Sequence, residues 1–361
     1  MEATTSSFDP VKYNAAVMEQ LQARDFLPSV PFIQLCGKCN LKCAMCPADF
    51  WETNSGLMPF DLFQHVLNEL SRAGIGTLGF ASAQGEPFLH PDVFPFLEEA
   101  IGRGFKVIVS TNGTVLNESR IQRLACLRLL QIQFSFFGYD KESYETTYRG
   151  ARFEHVVKNL VLLKESLAKS DNKTELLVNG VSPTGDAASV RRTYEFLNKL
   201  GISENEILAV LPCNFGGKIT AGRYHESHNT HSFKNLNGLP LVLCSVLAET
   251  PGIYYDGKVT ACGCLDCNRE LLIGDITCES ISEIRNGPRF RYLLDCFLHN
   301  RIDDIPLCSK CDVPYGPERL IRIKPDPARN ESSQENAMEK HGMSSSGDSG
   351  AERILSAEVK K

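Results

Sequence analysis

The sequence predicts an α/β protein, a partial (β/α)6 TIM-like barrel followed by a small C-terminal α+β domain. Three observations lead there. Short β-rich segments alternate with amphipathic helical ones along the first two-thirds of the chain. The strand segments are nearly continuous apolar runs, as expected of a parallel sheet covered on both faces. Beyond them the pattern gives way to a hairpin and a dense set of cysteines. A doubly wound open sheet accounts for the same alternation and is the structural alternative.

The elements follow in order. "PFIQL" (31–35) is the first strand, and "PFDLFQHVLNELSRAG" (59–74) carries apolar residues at helical spacing. "GTLGFAS" (76–82) is a strand, followed by a loop and the helix "DVFPFLEEAIGRG" (92–104). "KVIVST" (106–111), "LQIQFSF" (130–136), "ELLVNGV" (175–181) and "EILAVL" (206–211) are the remaining strands, with helical stretches between them. The expected organisation is an N-terminal helical extension over 1–30, the barrel over 31–215, a cysteine-rich domain over 216–324 and a tail over 325–361. That tail is poor in aromatics and rich in Ser, Glu, Lys and Gly, a composition that favours disorder.

Composition narrows the functional classes. The chain has 361 residues and a net charge of −6, which gives no basic footprint for nucleic acid. No apolar run is long enough for a membrane span, and "MEATTSSFDPVKYN" lacks the basic and apolar regions of a signal peptide. A cytoplasmic location is therefore expected, where disulfides are disfavoured. The 14 cysteines then read as metal or cluster ligands.

They fall into two groups. In "CGKCNLKCAMC" (36–46), Cys39, Cys43 and Cys46 form C-x3-C-x2-C directly after the first strand. Three thiolates so spaced can each hold one iron of a four-iron four-sulfur (4Fe-4S) cluster and leave the fourth iron open to a substrate or cofactor. A structural zinc site made of the pairs Cys36/Cys39 and Cys43/Cys46 is the alternative. In parallel α/β folds, chemistry gathers at loops leaving the C-terminal ends of strands, and "AQGEPFLHP", "NGT" and "FGYD" follow the next three strands.

Here the residues resemble the radical S-adenosylmethionine enzymes, whose hallmark is this cysteine loop after the first barrel strand. Gly85, Glu86 and Pro87 look like the family's segment that contacts the amino group of the methionyl moiety. "STNGT" (110–114), "FSFFG" (134–138) and "YRG" (148–150) followed by "FEHVVKNL" match later family loops, and the resemblance covers about residues 30–212. It implies S-adenosylmethionine and a 4Fe-4S cluster on Cys39, Cys43 and Cys46 as cofactors. It also implies Ser135 and Arg149 as contacts to the cofactor ribose and carboxylate, with Asn112 as a weaker candidate. Met45 stands where the family often has an aromatic residue, and its apolar, polarizable side chain can still cover the adenine or the cluster. Cys36 is then a buried small hydrophobe, since a fourth thiolate on the open iron would block the cofactor.

In the C-terminal third, "GIYYDGKVTAC" alternates as a hairpin turning at Asp256-Gly257. "IGDI" reads as a turn, "SISEIRNGPRFRYLL" as helix, and "CSKC" (308–311) adds a C-x2-C pair. This arrangement resembles the auxiliary-cluster domains called SPASM and twitch. No cysteine follows Cys311, which resembles the shorter twitch form and implies one auxiliary 4Fe-4S cluster on Cys244, Cys262, Cys308 and Cys311. "CGCLDC" leaves open whether Cys264 or Cys267 contributes. Cys126, Cys213, Cys278 and Cys296 are expected to pack as hydrophobes, and His225, His228 and His231 to lie on a solvated or substrate-covering loop.

The resemblance further implies a reaction. A flavodoxin- or ferredoxin-type protein reduces the first cluster, which cleaves S-adenosylmethionine to a 5′-deoxyadenosyl radical that takes hydrogen from a substrate carbon. An auxiliary cluster can then accept the remaining electron. The single auxiliary site looks closest to that of the aminocyclitol (2-deoxy-scyllo-inosamine) dehydrogenase type, and about thirty residues before the first strand are too few for the peptide-recognition domain of peptide-modifying relatives. The substrate expected is a sugar or aminocyclitol whose secondary alcohol becomes a ketone, in natural-product (antibiotic) biosynthesis. Decarboxylation, epimerisation and peptide maturation are the alternatives. The base for the hydroxyl proton is not identified, with Arg191, Arg192, Lys218 and the three histidines on candidate loops or helix starts.

Overall fold

A computed structural model describes residues 25–47, 56–80, 85–170, 172–182, 186–210, 213–219, 243–299 and 301–313, with helical positions at Ala15, Glu19 and Ala23. The histidine segment 224–231 and the tail 325–361 lie outside the described residues.

Each expected strand forms. They are β1 (Phe32–Ile33), β2 (Thr77–Phe80), β3 (Lys106–Thr111), β4 (Gln131–Ser135), β5 (Glu175–Val181) and β6 (Ile207–Val210). Every neighbouring pair is parallel, and the spatial order runs β6-β5-β4-β3-β2-β1 without a reversal. A doubly wound sheet reverses direction at a switch point, so this sequential order is that of a partial barrel.

The helices cover one face of the sheet. In α1 (Phe60–Arg72), Phe63, Val66, Leu67 and Leu70 repeat at helical spacing and are buried. Phe63 packs on Phe80 of β2 and on Phe96 of α2 (Val93–Gly102), with ring centroids 5.7 and 4.7 Å apart. The next helices are α3 (Glu118–Cys126), capped by Asn117, and α4 (Lys141–Thr147), started by a capping box between Asp140 and Ser143. In α5 (Phe153–Lys169), Val156, Leu160 and Leu163 are buried, and α6 (Ala187–Lys199) precedes β6. The strands alternate accordingly. Ile132 and Phe134 of β4 are fully buried, whereas Gln131, Gln133 and Ser135 are half-buried on the opposite face.

The C-terminal region continues the same sheet. After α7 (Ser245–Glu249), β7 (Gly252–Ile253) pairs in parallel with β1, and β8 (Lys258–Thr260) and β9 (Leu272–Asp275) extend the sheet antiparallel. The turn falls at Gly257, as the sequence indicates, with φ +85°. Two expectations change. "IGDI" is a strand rather than a turn, because Val259 and Lys258 offer it a ladder partner. Cys126 and Cys278 are exposed at a helix end and a turn rather than packed, Cys213 is half-buried, and Cys296 is buried.

The helices α8 (Ile281–Asn286), α9 (Pro288–Leu298) and α10 (Pro306–Ser309) close the domain. Arg285 is fully buried and ties it to the rest. Its guanidinium donates to the carbonyls of Phe26, Leu247 and Ala248, and lies 3.7 Å from the Phe290 ring centroid. Burial lowers its pKa to about 9. Among the described residues, no helix is long and apolar enough to cross a membrane.

Candidate active site at the C-terminal end of the sheet

The cysteine loop leaves β1 and is held through its backbone by two neighbouring segments, the loop after β2 and the end of α4. Glu86 N–H donates to the Lys38 carbonyl at 2.8 Å, Lys42 N–H to that of Arg149 at 3.0 Å, and Ala44 N–H to that of Thr147 at 2.8 Å. Gly85 makes the first of these approaches possible. Its φ is +91°, and a Cβ there would stand 1.9 Å from the Cys36 carbonyl oxygen.

Glu86 is buried, and its carboxylate is used inside the protein. Oε1 accepts from the Thr111 hydroxyl at 2.8 Å and the Phe88 N–H at 3.2 Å, and Oε2 accepts from the Asn112 N–H at 2.8 Å. Burial outweighs these donors and raises its pKa to about 7. Any contact of this segment with a ligand must therefore come from backbone, beside Pro87, which begins the turn Pro87–Leu89. Asn112 is likewise turned toward the cysteine loop. Its Nδ2 donates to Asn40 Oδ1 at 3.2 Å and lies 3.7 Å from Cys39 Sγ, while Asn159 of α5 holds the loop after β3 by donating to the Gly113 and Leu116 carbonyls.

Cys43 lies close enough to Cys46 and to Cys39 for charge on either to bear on it. Burial pushes Cys39 up to about 11 and Cys43 higher still, and for Cys43 the next causes are the charges of Cys46 and Cys39, opposed by Arg149. Arg149 itself is exposed, immediately outside this loop. Cys36 is buried and stands apart, its Sγ 3.4 Å from the Lys38 N–H. Ser135 ends β4 directly beside Asn179 of β5, both half-buried on the face away from the helices. Ser110 and Gln133 continue this row, hydrogen-bonded to each other at 2.9 Å.

A second group of thiols collects at the extension of the sheet. Cys244 precedes α7, Cys262 follows β8, and Cys308 and Cys311 flank the end of α10. Burial raises the pKa of Cys262, Cys308 and Cys311, and charge on Cys244 raises it further in each. Cys264 acts on Cys262, and Cys213 acts weakly on Cys311. Cys267 answers to different neighbours. Burial lifts it to about 12, Lys218 opposes this, and Asp266 and Glu270 add to it. Asn214 crosses this turn, its N–H on the Asp312 carboxylate at 3.1 Å and its side chain on the Lys310 carbonyl at 2.6 Å. Two of the candidate bases are already engaged, Lys218 with Glu270 and Arg192 over the Tyr139 ring.

The donor sets suit iron–sulfur cores. Buried thiols that raise one another's pKa become thiolates together only when cationic charge enters among them. Among the described residues, no three His, Cys, Asp or Glu side chains lie close enough to share a single metal ion. A mononuclear zinc site would need the loop to close further, whereas a cluster takes each thiolate at a separate iron.

Comparison with known proteins agrees. Residues 33–202 match the radical SAM superfamily, and residues 244–312 match SPASM, an iron-sulfur cluster-binding domain. The chain carries a radical SAM domain followed by a SPASM domain. Its cofactors are accordingly S-adenosylmethionine and iron–sulfur clusters.

A tungsten-containing aldehyde ferredoxin oxidoreductase cofactor-modifying protein of Pyrococcus furiosus is 33% identical over 104 residues, a match spanning 29% of each chain. Among solved structures, BtrN in complex with AdoMet and 2-DOIA superposes with a TM-score of 0.51 at 19% identity, covering 79% of this chain and 93% of that one. Streptococcus suis SuiB bound to its precursor peptide SuiA gives a TM-score of 0.57 at 15% identity, over 86% and 79%. These likenesses are of fold. Sequence reasoning missed Asn179 and Gln133 at this site, and Thr111 enters it only within STNGT. Gln133 is signalled by polarity at alternate positions of QIQFS, and Asn179 only by being a polar residue within the apolar run LLVNGV.

Proposed function

We propose that this radical SAM protein oxidises a hydroxyl-bearing carbon of a sugar or aminocyclitol, converting a secondary alcohol to a ketone. The observation that carries the reading is the row Ser110, Gln133 and Asn179 on the helix-free face, beside Ser135 and toward the end of the sheet where the cysteine loop lies. A hydroxyl-rich ligand matches such a row of hydrogen-bonding groups better than an apolar one does.

Cys39, Cys43 and Cys46 would hold the first cluster. Gly85, Glu86 and Pro87 would offer backbone groups to the cofactor amino end, and Ser135 and Arg149 would contact its ribose and carboxylate. Asn112 serves by holding the cysteine loop. When bound, reduced cluster and S-adenosylmethionine supply one-electron removal of a hydrogen atom from an unactivated carbon. Oxidation to the ketone then releases one more electron and the hydroxyl proton. Cys244, Cys262, Cys308 and Cys311 would seat one auxiliary cluster as acceptor for that electron, on the same sheet. A flavodoxin- or ferredoxin-type protein would return electrons to the first cluster.

The test is anaerobic. Reconstituted, reduced protein is incubated with S-adenosylmethionine and a panel of amino sugars and aminocyclitols, read by mass spectrometry. The expected result is 5′-deoxyadenosine formed only with substrate, together with a product lighter by two hydrogens. Loss of carbon dioxide, an isomer of unchanged mass, or turnover of peptides alone would overturn this reading.

A further inference from the structure

Tyr144 lies on α4 and is fully buried, and its hydroxyl meets no hydrogen-bond partner. Its ring cannot swing away to find one. It stacks between Phe136, at 4.6 Å between centroids, and Tyr148, at 4.7 Å, and Phe153 tilts against it at 5.7 Å. The chain also passes close behind it, since a Cβ on Gly138 would stand 3.0 Å from the Tyr144 Cα. Leaving a hydroxyl buried without a partner costs about 1–3 kcal/mol, and phenylalanine would fill the same stack without that cost.

What lies next to the hydroxyl gives it a use. The cysteine loop crosses the end of α4, and the two residues on either side of Cys43 are those whose N–H groups donate to the carbonyls of Thr147 and Arg149. Cys43 is thus fixed one helical turn from Tyr144. The phenol is close enough to Cys43 for charge there to bear on it, and an ordinary phenol keeps its proton at neutral pH and so remains available to donate. Cys39 already receives such donors, from Leu41 N–H at 3.5 Å and Asn112 Nδ2 at 3.7 Å.

We propose that the Tyr144 hydroxyl donates its hydrogen bond to sulfur of the first cluster, at the Cys43 thiolate or the sulfide beside it, and so raises that cluster's reduction potential. A donor aimed at sulfur stabilises the more negative, reduced core over the oxidised one. Tyr144 is then a positioning and tuning residue that touches no substrate. The aromatic stack holds it in place, and the lashing of the cysteine loop to α4 sets its distance. This inference rests on Cys43 being a ligand of the first cluster.

The experiment is a redox titration of the reconstituted protein followed by electron paramagnetic resonance, reading the signal that changes when S-adenosylmethionine is added. Tyr144→Phe keeps the ring and the stack. The expected result is unchanged iron content and unchanged circular dichroism, with the midpoint of that signal moved to more negative potential. An unchanged midpoint overturns the inference, as does an equal move in Tyr148→Phe, which removes a hydroxyl from the adjoining ring. Failure of the underlying assignment looks different: Cys43→Ala would then retain the S-adenosylmethionine-responsive signal.

Discussion

Glu86 and Asn112 join the loops that leave β2 and β3: the Glu86 carboxylate accepts the Asn112 backbone N–H at 2.8 Å, while the Asn112 side chain reaches toward Cys39 Sγ at 3.7 Å. A single buried acid therefore braces the turn that supports a cluster ligand. The glutamate of the Gly-Glu-Pro segment works here as a strut, and the glycine as the point of contact with the cysteine loop.

Glu86 gives a pH signature. Burial raises its folded pKa from 4.5 to about 7, so folding favours its protonated form. Its contribution is fully present below the unfolded value and is lost as pH rises toward 7, by about 3 kcal/mol at most. Thermal unfolding midpoints of the wild type and Glu86→Gln across pH 4 to 8 check this. The wild type is expected to lose ground to the variant between about 4.5 and 7 and to run parallel above. Parallel curves throughout would show that the hydrogen bonds from Thr111, Asn112 and Phe88 cancel the effect of burial.

Gly85→Ala tests the contact between loops. The added Cβ meets the Cys36 carbonyl at 1.9 Å, at a φ of +91° that alanine adopts with strain. The expected loss is about 2–4 kcal/mol of stability, with iron content falling because the cysteine loop is displaced. Normal iron loading at wild-type stability would show that the two loops separate freely.

Much of this arrangement is legible in the sequence, because it depends on local pattern. The strands KVIVST and ELLVNGV announce themselves by apolar runs, the loop at 39–46 by spacing, and the hairpin by Asp256-Gly257. What is not legible depends on pairing across distance. Nothing local tells β7 to join β1, some 220 residues away, and so fuse the cysteine-rich region to the barrel sheet. Nothing marks Cys126 as exposed either. It is the last residue of α3, where the helix turns out of the core. The setting of Tyr144 emerges only from a stack built by separate parts of the chain.

Cys308→Ala separates the two thiol groups. Cys308 is buried, and charge on Cys244 and Cys311 acts on it, whereas the loop at 39–46 is held by other contacts. Iron content is expected to fall toward about half, one four-iron core of two being lost. Cleavage of S-adenosylmethionine should persist, and ketone formation should stop. Full iron content would assign the fourth ligand to Cys264, which lies beside Cys262.

Ser135 and Asn179 are cross-strand partners at the end of β4 and β5, and their variants should part company. Asn179→Leu removes a hydrogen-bonding group from the face proposed for substrate and leaves the cysteine loop and its supports untouched. The expected result is a KM for substrate raised about tenfold, corresponding to about 1.4 kcal/mol, with S-adenosylmethionine binding unchanged. Ser135→Ala, at the position proposed for the cofactor ribose, should instead weaken S-adenosylmethionine binding by a similar factor. Both are read by calorimetry of cofactor binding together with steady-state kinetics. If both variants weaken the cofactor alike, the cofactor extends over both strands, and substrate must be held nearer Ser110 and Gln133.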